Sequence, residues 1–139
     1  MRKRRILILS FVALIAIAFV TLARSKKRAL SASCAGRLFP LTFVAMVWAT
    51  EHGDRYPTNL FYLSNQVAAR WLICPSDSSR QPASDWSSFA PDHSSYELVS
   101  PGIAPADTNS VFLRCRVHGH MSYTDATVFD GKRRRHKFD

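Results

Sequence analysis

Sulfur and imidazole ligands are concentrated in one short stretch, Cys115, His118 and His120. Together with Cys74 they supply the four soft ligands that tetrahedral zinc prefers. In an extended segment the rings of His118 and His120 would point to the same side of the chain, so both could contact one ion. The spacing is not that of a standard zinc motif. The alternative is a disulfide bond accompanied by two histidines in a turn.

The position of the cysteines favours one pairing. Cys74 and Cys115 each end a predicted strand, at residues 71–74 and 111–115, and neighbouring strands would bring their side chains within bridging reach. In an oxidising compartment we therefore expect a Cys74–Cys115 disulfide, whereas in a reducing cytosol the same residues would be free thiols or metal ligands. Cys34 lies on a predicted helix face and is interpreted as a small packed residue.

A long helix is predicted to precede these strands. Apolar residues recur at spacings of three and four between residues 29 and 50, which is one face of a helix. These packing positions are Leu30, Cys34, Leu38, Leu41, Ala45 and Trp48. Pro40 removes a backbone donor, so we expect a kink or a restart there. The helix should end at His52-Gly53.

The remaining elements are short. Asn59 is placed to cap a short helix that extends to about Ala69. The Ser-, Pro- and Asp-rich residues 75–93 favour a loop in which Trp86 and Phe89 act as local anchors. Strands are predicted at residues 71–74, 95–100 and 111–115, followed by a hairpin over residues 121–129. This order predicts an α+β fold, with a long helix packed on a small antiparallel sheet.

The beginning of the chain has the pattern of a membrane anchor. Residues 6–23 carry no charge and are flanked by four basic residues on each side. A helix of this length spans about 27 Å, close to the thickness of the bilayer core. A cleaved signal peptide is the rival interpretation, and a lipoprotein anchored at Cys34 is a third. We accordingly divide the chain into a cytoplasmic stub and anchor (1–28), an extracytoplasmic domain (29–131) and a basic tail (132–139).

Charge argues against nucleic-acid binding. The net charge is +9, but the basic residues are concentrated at the two ends of the chain. Residues 29–131 contain six Lys/Arg and nine Asp/Glu, so the domain is negatively charged and predicts no basic groove. The tail is expected to be a solvated end, with attraction to anionic lipid or a wall polymer as the alternative.

Catalytic motifs are not evident. Ser94 and Ser95 follow Asp92 and His93, which are the residue types of a hydrolytic triad, but adjacency in sequence does not supply the required arrangement. No Gly-x-Ser-x-Gly turn or phosphate-binding loop occurs. We therefore expect a protein that is not an enzyme.

Several motifs in succession carry a family resemblance. They are EHGDRYPTNL (51–60), LICPSD (72–77), SSYELVSPG (94–102), RCRVHGH (114–120) and TDATVFDG (124–131). In this order, after an apolar helix, they resemble the pilin-like or pseudopilin-like proteins of Verrucomicrobia-type bacteria. Those proteins are related to type II secretion pseudopilins and carry a C-terminal His-x9-Asp-Gly element. His120, Asp130 and Gly131 match that spacing.

The resemblance implies a function and a location. It implies a single-pass inner-membrane protein with its domain in the periplasm, acting in type II secretion or pilus-like assembly through contacts with itself or with other pilin-like subunits. Major pseudopilins use a carboxylate-lined calcium loop near the C-terminus, for which Asp125 and Asp130 are the available ligands. The alternative is an anchored domain that does not polymerise and binds zinc, calcium or a cell-envelope ligand.

The chain also departs from those relatives. Arg5 directly precedes the apolar run, which contains no Glu, so the usual prepilin leader motif is not matched. Cleavage by prepilin peptidase and polymerisation are therefore left open. In the last hairpin Asp125-Ala126 stands where the relatives have Asp-Gly, and a left-handed Ala costs about 1 kcal/mol, so the turn is expected to relocate.

Overall fold

The computed structural model describes residues 2–135, with side chains for residue 9 and from residue 11 onward. Its first element is helix α1, Arg2–Glu51. The chain forms two compact units, Met1–Leu30 and Ser31–Asp139. The side chains of the basic stub at residues 2–5, and residues 136–139 of the predicted tail, lie outside the described residues.

The first unit contains the apolar run of α1. Between residues 11 and 22 the large hydrophobic side chains are exposed, with Phe11 at 66%, Phe19 at 73% and Leu22 at 70% of their full accessibility. Among the described residues, α1 is the one helix long and apolar enough to cross a membrane. Because a folded chain in water buries such side chains, this segment is suited to a lipid environment.

In the second unit, the remainder of α1 lies on a sheet. The described residues form five antiparallel strands in the order β1-β2-β3-β4-β5. Their bounds are Tyr96–Leu98 (β1), Val111–Cys115 (β2), Met121–Tyr123 (β3), Val128–Phe129 (β4) and Arg134–Arg135 (β5). The expected combination of an N-terminal helix with a small antiparallel sheet is therefore confirmed.

The core lies between α1 and the centre of the sheet. Leu38, Leu41 and Ala45 of the helix are buried against Phe112 and Leu113 of β2. Their spacing of three and four residues places them on one helical face, as the hydrophobic pattern indicates. Trp48 is half-buried at the edge of this core, and Leu30 is half-buried in the first unit.

The end of α1 agrees with the prediction, whereas its proline does not. The helix ends at Glu51, and Gly53 adopts the left-handed conformation with φ of 71°, as predicted. The helix continues through Pro40, so the restart is excluded. Proline removes only one hydrogen bond of a long helix, and burial of the flanking Leu38 and Leu41 opposes that loss.

Two local predictions between α1 and the sheet are corrected. Asn59 does cap a short helix, accepting a hydrogen bond from the Phe61 N–H at 2.9 Å, but this 3-10 helix ends at Leu63. The strand predicted at residues 71–74 is wrong, because Ala69–Leu72 form a second 3-10 helix. Leu72 and Cys74 of this apolar run are buried on the core while Trp71 is 44% exposed, and a helical turn buries such side chains as well as a strand does.

The C-terminal part of the sheet also differs from the prediction. The predicted hairpin forms as β3 and β4, but its turn does not relocate: Ala126 itself adopts φ of 62°. The Asp125 carboxylate accepts hydrogen bonds from the Thr127 N–H at 2.9 Å and from its hydroxyl, which offsets the backbone strain. The described start of the basic tail is exposed to solvent, as expected, but Arg134 and Arg135 also form a short strand that pairs with β4.

Candidate metal centre

Helix α1 carries the first residue of the site. Cys34 is fully buried on the face that packs against the sheet. Its sulfur lies 3.3 Å from the Cys115 sulfur and 3.7 Å from the Tyr96 hydroxyl. The helix therefore places the Cys34 thiol against the end of β2.

Cys74 is held by a network in the loop that follows the second 3-10 helix. The Cys74 N–H donates to the Ser95 hydroxyl oxygen at 2.9 Å, and that hydroxyl donates to Asp77 at 2.7 Å. The Asp77 N–H in turn donates to the Cys74 carbonyl at 2.9 Å. Arg37 of α1 donates to the carbonyl of Ile73, so the loop is attached to the helix next to the cysteine.

Asp77 is the anionic member of this network. Burial on its own would raise the pKa of the Asp77 carboxyl, but hydrogen bonds from Ser79, Ser95 and Arg80 outweigh it and hold the pKa well below its ordinary value. Arg80 completes an ion pair with Asp77 at 2.8 Å. The LICPSD motif therefore forms a turn whose carboxylate fixes the backbone around Cys74.

Cys115 and His118 share a tight turn at the end of β2. The Gly119 N–H donates to the Cys115 carbonyl at 2.9 Å, and Gly119 has φ of 69°, which suits a residue without a Cβ. A hydrogen bond from the Cys34 thiol lowers the pKa of Cys115, against the effect of burial, and the N–H groups of His118 and Val117 lower it further. The Cys34 thiol and this turn together lower the pKa of Cys115.

Four ligand atoms converge where these segments meet. The sulfurs of Cys34, Cys74 and Cys115 and a ring nitrogen of His118 all lie within 4.8 Å of one another. Cys74 Sγ and His118 Nδ1 are 3.4 Å apart. The three cysteines are buried, while His118 is half-exposed and gives the cluster a side open to solvent. We call these four residues the Cys3His cluster.

His120, which the sequence places beside His118, is not part of this cluster. It is buried, and its Nε2 lies 3.2 Å from the Ser31 hydroxyl. Its Nδ1 is the one buried side-chain nitrogen or oxygen without a partner among the described residues. Burial and the neighbouring His118 lower its pKa, so the ring is held neutral. The rings of His118 and His120 stack at 5.0 Å.

The carboxylates considered for calcium lie elsewhere and have other partners. Asp125 pairs with Arg134 at 2.8 Å, and Asp130 pairs with Arg135. Asp130 also accepts hydrogen bonds from the N–H groups of Lys132 and Arg133, in the turn where Gly131 has φ of 88°. The residues of the His-x9-Asp-Gly spacing thus serve a helix contact and the β4–β5 turn.

The three cysteines are free thiols in this structure. Cys115 forms no disulfide bond with Cys74, and the thiol hydrogen-bonded to it is that of Cys34. The Cys74–Cys115 disulfide stays a prediction for the oxidised protein. What the sequence reasoning missed is Cys34, whose helical spacing indicated packing alone. Cys34 lies next to the end of β2 only because of the way in which the helix packs on the sheet.

The Ser-His-Asp stretch has no triad arrangement. The Ser94 hydroxyl donates to the Tyr96 carbonyl at 2.7 Å, and the Ser95 hydroxyl is engaged by Asp77. His93 accepts from the Ala90 N–H through Nδ1 at 3.2 Å. These contacts stabilise the loop and the start of β1.

Comparison with known proteins gives no relative from which a role can be transferred. No protein-family model, no curated protein and no solved structure matches this chain. The function must therefore be argued from the arrangement of its own residues.

Proposed function

We propose that this protein is a membrane-anchored, pseudopilin-like structural subunit that acts by protein contact, with its globular unit outside the cytoplasm. The observation that carries the proposal is the composition of α1. Between residues 11 and 22 this helix exposes large apolar side chains, and a later part of it packs on the sheet of a small α+β domain. That combination suits lateral assembly of helices in a membrane, with the sheets presented outward.

The outward face of α1 within the domain supports self-association. Phe43 and Val47 are 45% and 42% exposed although each is strongly apolar. Ala32, Ser33 and Gly36 are exposed on the helix nearer its membrane segment. Small residues allow helix backbones to approach closely, and exposed apolar residues gain stability when a second helix covers them.

The flanking charges are equal in number, so the positive-inside rule cannot choose an orientation. Placement outside the cytoplasm is supported instead by the family resemblance. The partners implied are further copies of this chain or other pilin-like subunits. A type II secretion system or a pilus-like assembly in the inner membrane is the setting that the motifs between residues 51 and 131 favour.

Photo-crosslinking in native membranes tests the proposal. A photoreactive amino acid placed at Phe43 or at Val47 should give crosslinked dimers and larger species. The same amino acid at Gln81, an exposed loop position, is the matched control and should leave the chain monomeric. Protease added to spheroplasts should remove a C-terminal epitope while the membrane remains intact.

Two results would contradict the proposal. Monomeric chain at every probe position would favour an anchored domain that does not polymerise, which is the alternative function. An epitope protected from external protease would place the domain in the cytoplasm and remove the argument for a secretion or pilus role.

A further inference from the structure

The chemistry of the Cys3His cluster is that of a structural metal site. Three thiol sulfurs and one imidazole nitrogen are a standard ligand set for tetrahedral zinc, and structural zinc sites are four-coordinate and closed. Soft sulfur ligands disfavour magnesium, calcium and manganese. No carboxylate belongs to the cluster, which removes the usual ligand of hard cations.

The spacing of the ligand atoms agrees with one central ion. Zinc–sulfur bonds of about 2.3 Å at tetrahedral angles separate neighbouring sulfurs by about 3.8 Å, and a zinc-bound nitrogen lies about 3.5 Å from them. The observed Cys34–Cys115 and Cys74–His118 separations are 3.3 and 3.4 Å, with every pair within 4.8 Å. Shifts of about half an ångström, within reach of side-chain rotation, would complete the geometry.

The backbone holds the ligands of the cluster in place. The Cys74 N–H donates to the Ser95 hydroxyl, and the Gly119 N–H donates to the Cys115 carbonyl. Cys115-x2-His118-Gly119 places two ligands on one turn that a glycine with positive φ closes. Hydrogen bonds that orient the ligand residues in this way are typical of metal sites.

From these observations we propose that Cys34, Cys74, Cys115 and His118 bind one zinc ion, which ties helix α1 and the loop at Cys74 to the end of β2. Binding releases the thiol protons to solvent, and neutral His118 contributes its nitrogen lone pair. Three thiolates and one Zn²⁺ leave the centre with a charge of about −1. Half-exposed His118 lies at the entry side. The site does not depend on helix assembly, but a zinc-bound cluster excludes the Cys74–Cys115 disulfide that an oxidising compartment favours.

Metal analysis of the full-length chain in detergent, purified with a phosphine reductant, is the direct test. We expect one zinc per chain after incubation with Zn²⁺ and removal of excess. Replacement by Co²⁺ should give the intense visible bands of tetrahedral cobalt together with sulfur-to-cobalt charge transfer. Cys34→Ser, Cys74→Ser and Cys115→Ser should each lose stoichiometric metal.

Matched variants separate ligation from folding. His120→Gln changes a buried histidine next to the cluster but removes no ligand, so zinc stoichiometry and the cobalt spectrum should remain those of the unchanged chain. His118→Cys keeps four ligands and should bind cobalt with stronger charge transfer, because four thiolates replace three. This gain of signal remains decisive when a serine variant does not fold.

Three outcomes would overturn the proposal. The first is a fully reduced, folded chain that takes up neither Zn²⁺ nor Co²⁺. The second is an unchanged cobalt spectrum in His118→Cys. The third is loss of metal in His120→Gln with retention in Cys34→Ser, which would assign the site to the ligands suggested by sequence spacing.

Discussion

Asp77 shows how a single buried carboxylate fixes the turn that carries Cys74. It accepts hydrogen bonds from the Ser79 N–H at 3.0 Å, from the Ser95 hydroxyl and from Arg80, and its side chain is only 2% exposed. Hydrogen bonds to a charged group contribute about 1.5–3 kcal/mol each. Removing this charge should therefore loosen the turn that carries Cys74.

Asp77→Asn should accordingly destabilise the protein near neutral pH, by about 2 kcal/mol. The folded pKa lies below the unfolded value of about 3.9, so the stabilisation is fully present above that pH and is lost as pH falls toward the folded pKa. Thermal unfolding followed by circular dichroism should show a difference between variant and unchanged chain at about pH 7 that shrinks below about pH 4.

The control for this comparison is Asp92→Asn, an exposed aspartate in the short 3-10 helix Pro91–His93. It should change the unfolding temperature little at either pH. A difference between Asp77→Asn and the unchanged chain that stays constant down to about pH 2 would show that the charge of Asp77 is not what stabilises the turn.

At the scale of elements, a buried hydroxyl pair joins α1 to the sheet. The Thr42 hydroxyl donates to the Ser122 hydroxyl of β3 at 2.6 Å, and both residues are fully buried. Thr42→Val leaves the Ser122 hydroxyl without its helix partner, and we expect a loss of about 1–2 kcal/mol. In a domain of this size that lowers the unfolding temperature by roughly 4–8 °C per kcal/mol.

A double-mutant cycle measures the contact itself. Thr42→Val combined with Ser122→Ala removes both polar groups, so most of the loss should be recovered, and the coupling free energy should be about 1 kcal/mol. Strictly additive losses from the two single variants would mean that the hydroxyl pair does not connect helix and sheet.

Arg134 connects the strand at the edge of the sheet to residues outside that strand. Its guanidinium pairs with Asp125 at 2.8 Å, donates to Asn109 at 3.1 Å and lies 3.8 Å from the centre of the Tyr123 ring. Arg134→Lys keeps the charge but loses the planar fork, so we expect destabilisation of about 1 kcal/mol, modest because the side chain is 31% exposed. Arg133→Lys, at an exposed neighbour, is the control; equal unfolding temperatures in both variants would remove the role assigned to Arg134.

Sequence reasoning succeeded where one local signal decides the element. The helix end at Gly53, strand β2 at Val111–Cys115 and the hairpin that follows all have such signals. It failed at residues 71–74, because a short apolar run fits a buried 3-10 turn as well as a strand. It also failed to predict that Arg134 belongs to a fifth strand, because the formation of that strand depends on ion pairs with residues elsewhere in the sequence.

The same dependence on contacts between distant residues explains why the ligands of the site were only partly predicted. Cys74, Cys115 and His118 could be proposed as ligands from residue type and spacing, but His120 was added to them on spacing alone. Cys34 was left out since its helical position predicts burial without indicating what it meets. Only the docking of α1 on β2, set by the buried Leu38, Leu41 and Phe112, decides which of the two completes the cluster.

For the molecule as a whole, the Cys3His cluster joins three regions that are distant in sequence. Cys34 belongs to the helix, Cys74 to a loop without regular structure, and Cys115 and His118 to the sheet. An ion held by all of them would bind only the folded state, so its binding free energy would add to the free energy of unfolding. The stability of the whole domain should therefore depend on metal.

The zinc proposal thus predicts a large effect of metal removal on unfolding of the reduced, full-length chain in detergent. When free zinc exceeds its dissociation constant a hundredfold, binding contributes about 2.7 kcal/mol, so a strong chelator should lower the unfolding temperature by about 10–20 °C. Zn²⁺ should restore it and Ca²⁺ should not, because the ligands are sulfur and nitrogen. Cys34→Ser should start from the low temperature and not respond to chelation, whereas His120→Gln should respond like the unchanged chain. Equal unfolding temperatures with and without chelator would show that helix, loop and sheet are held together by packing alone.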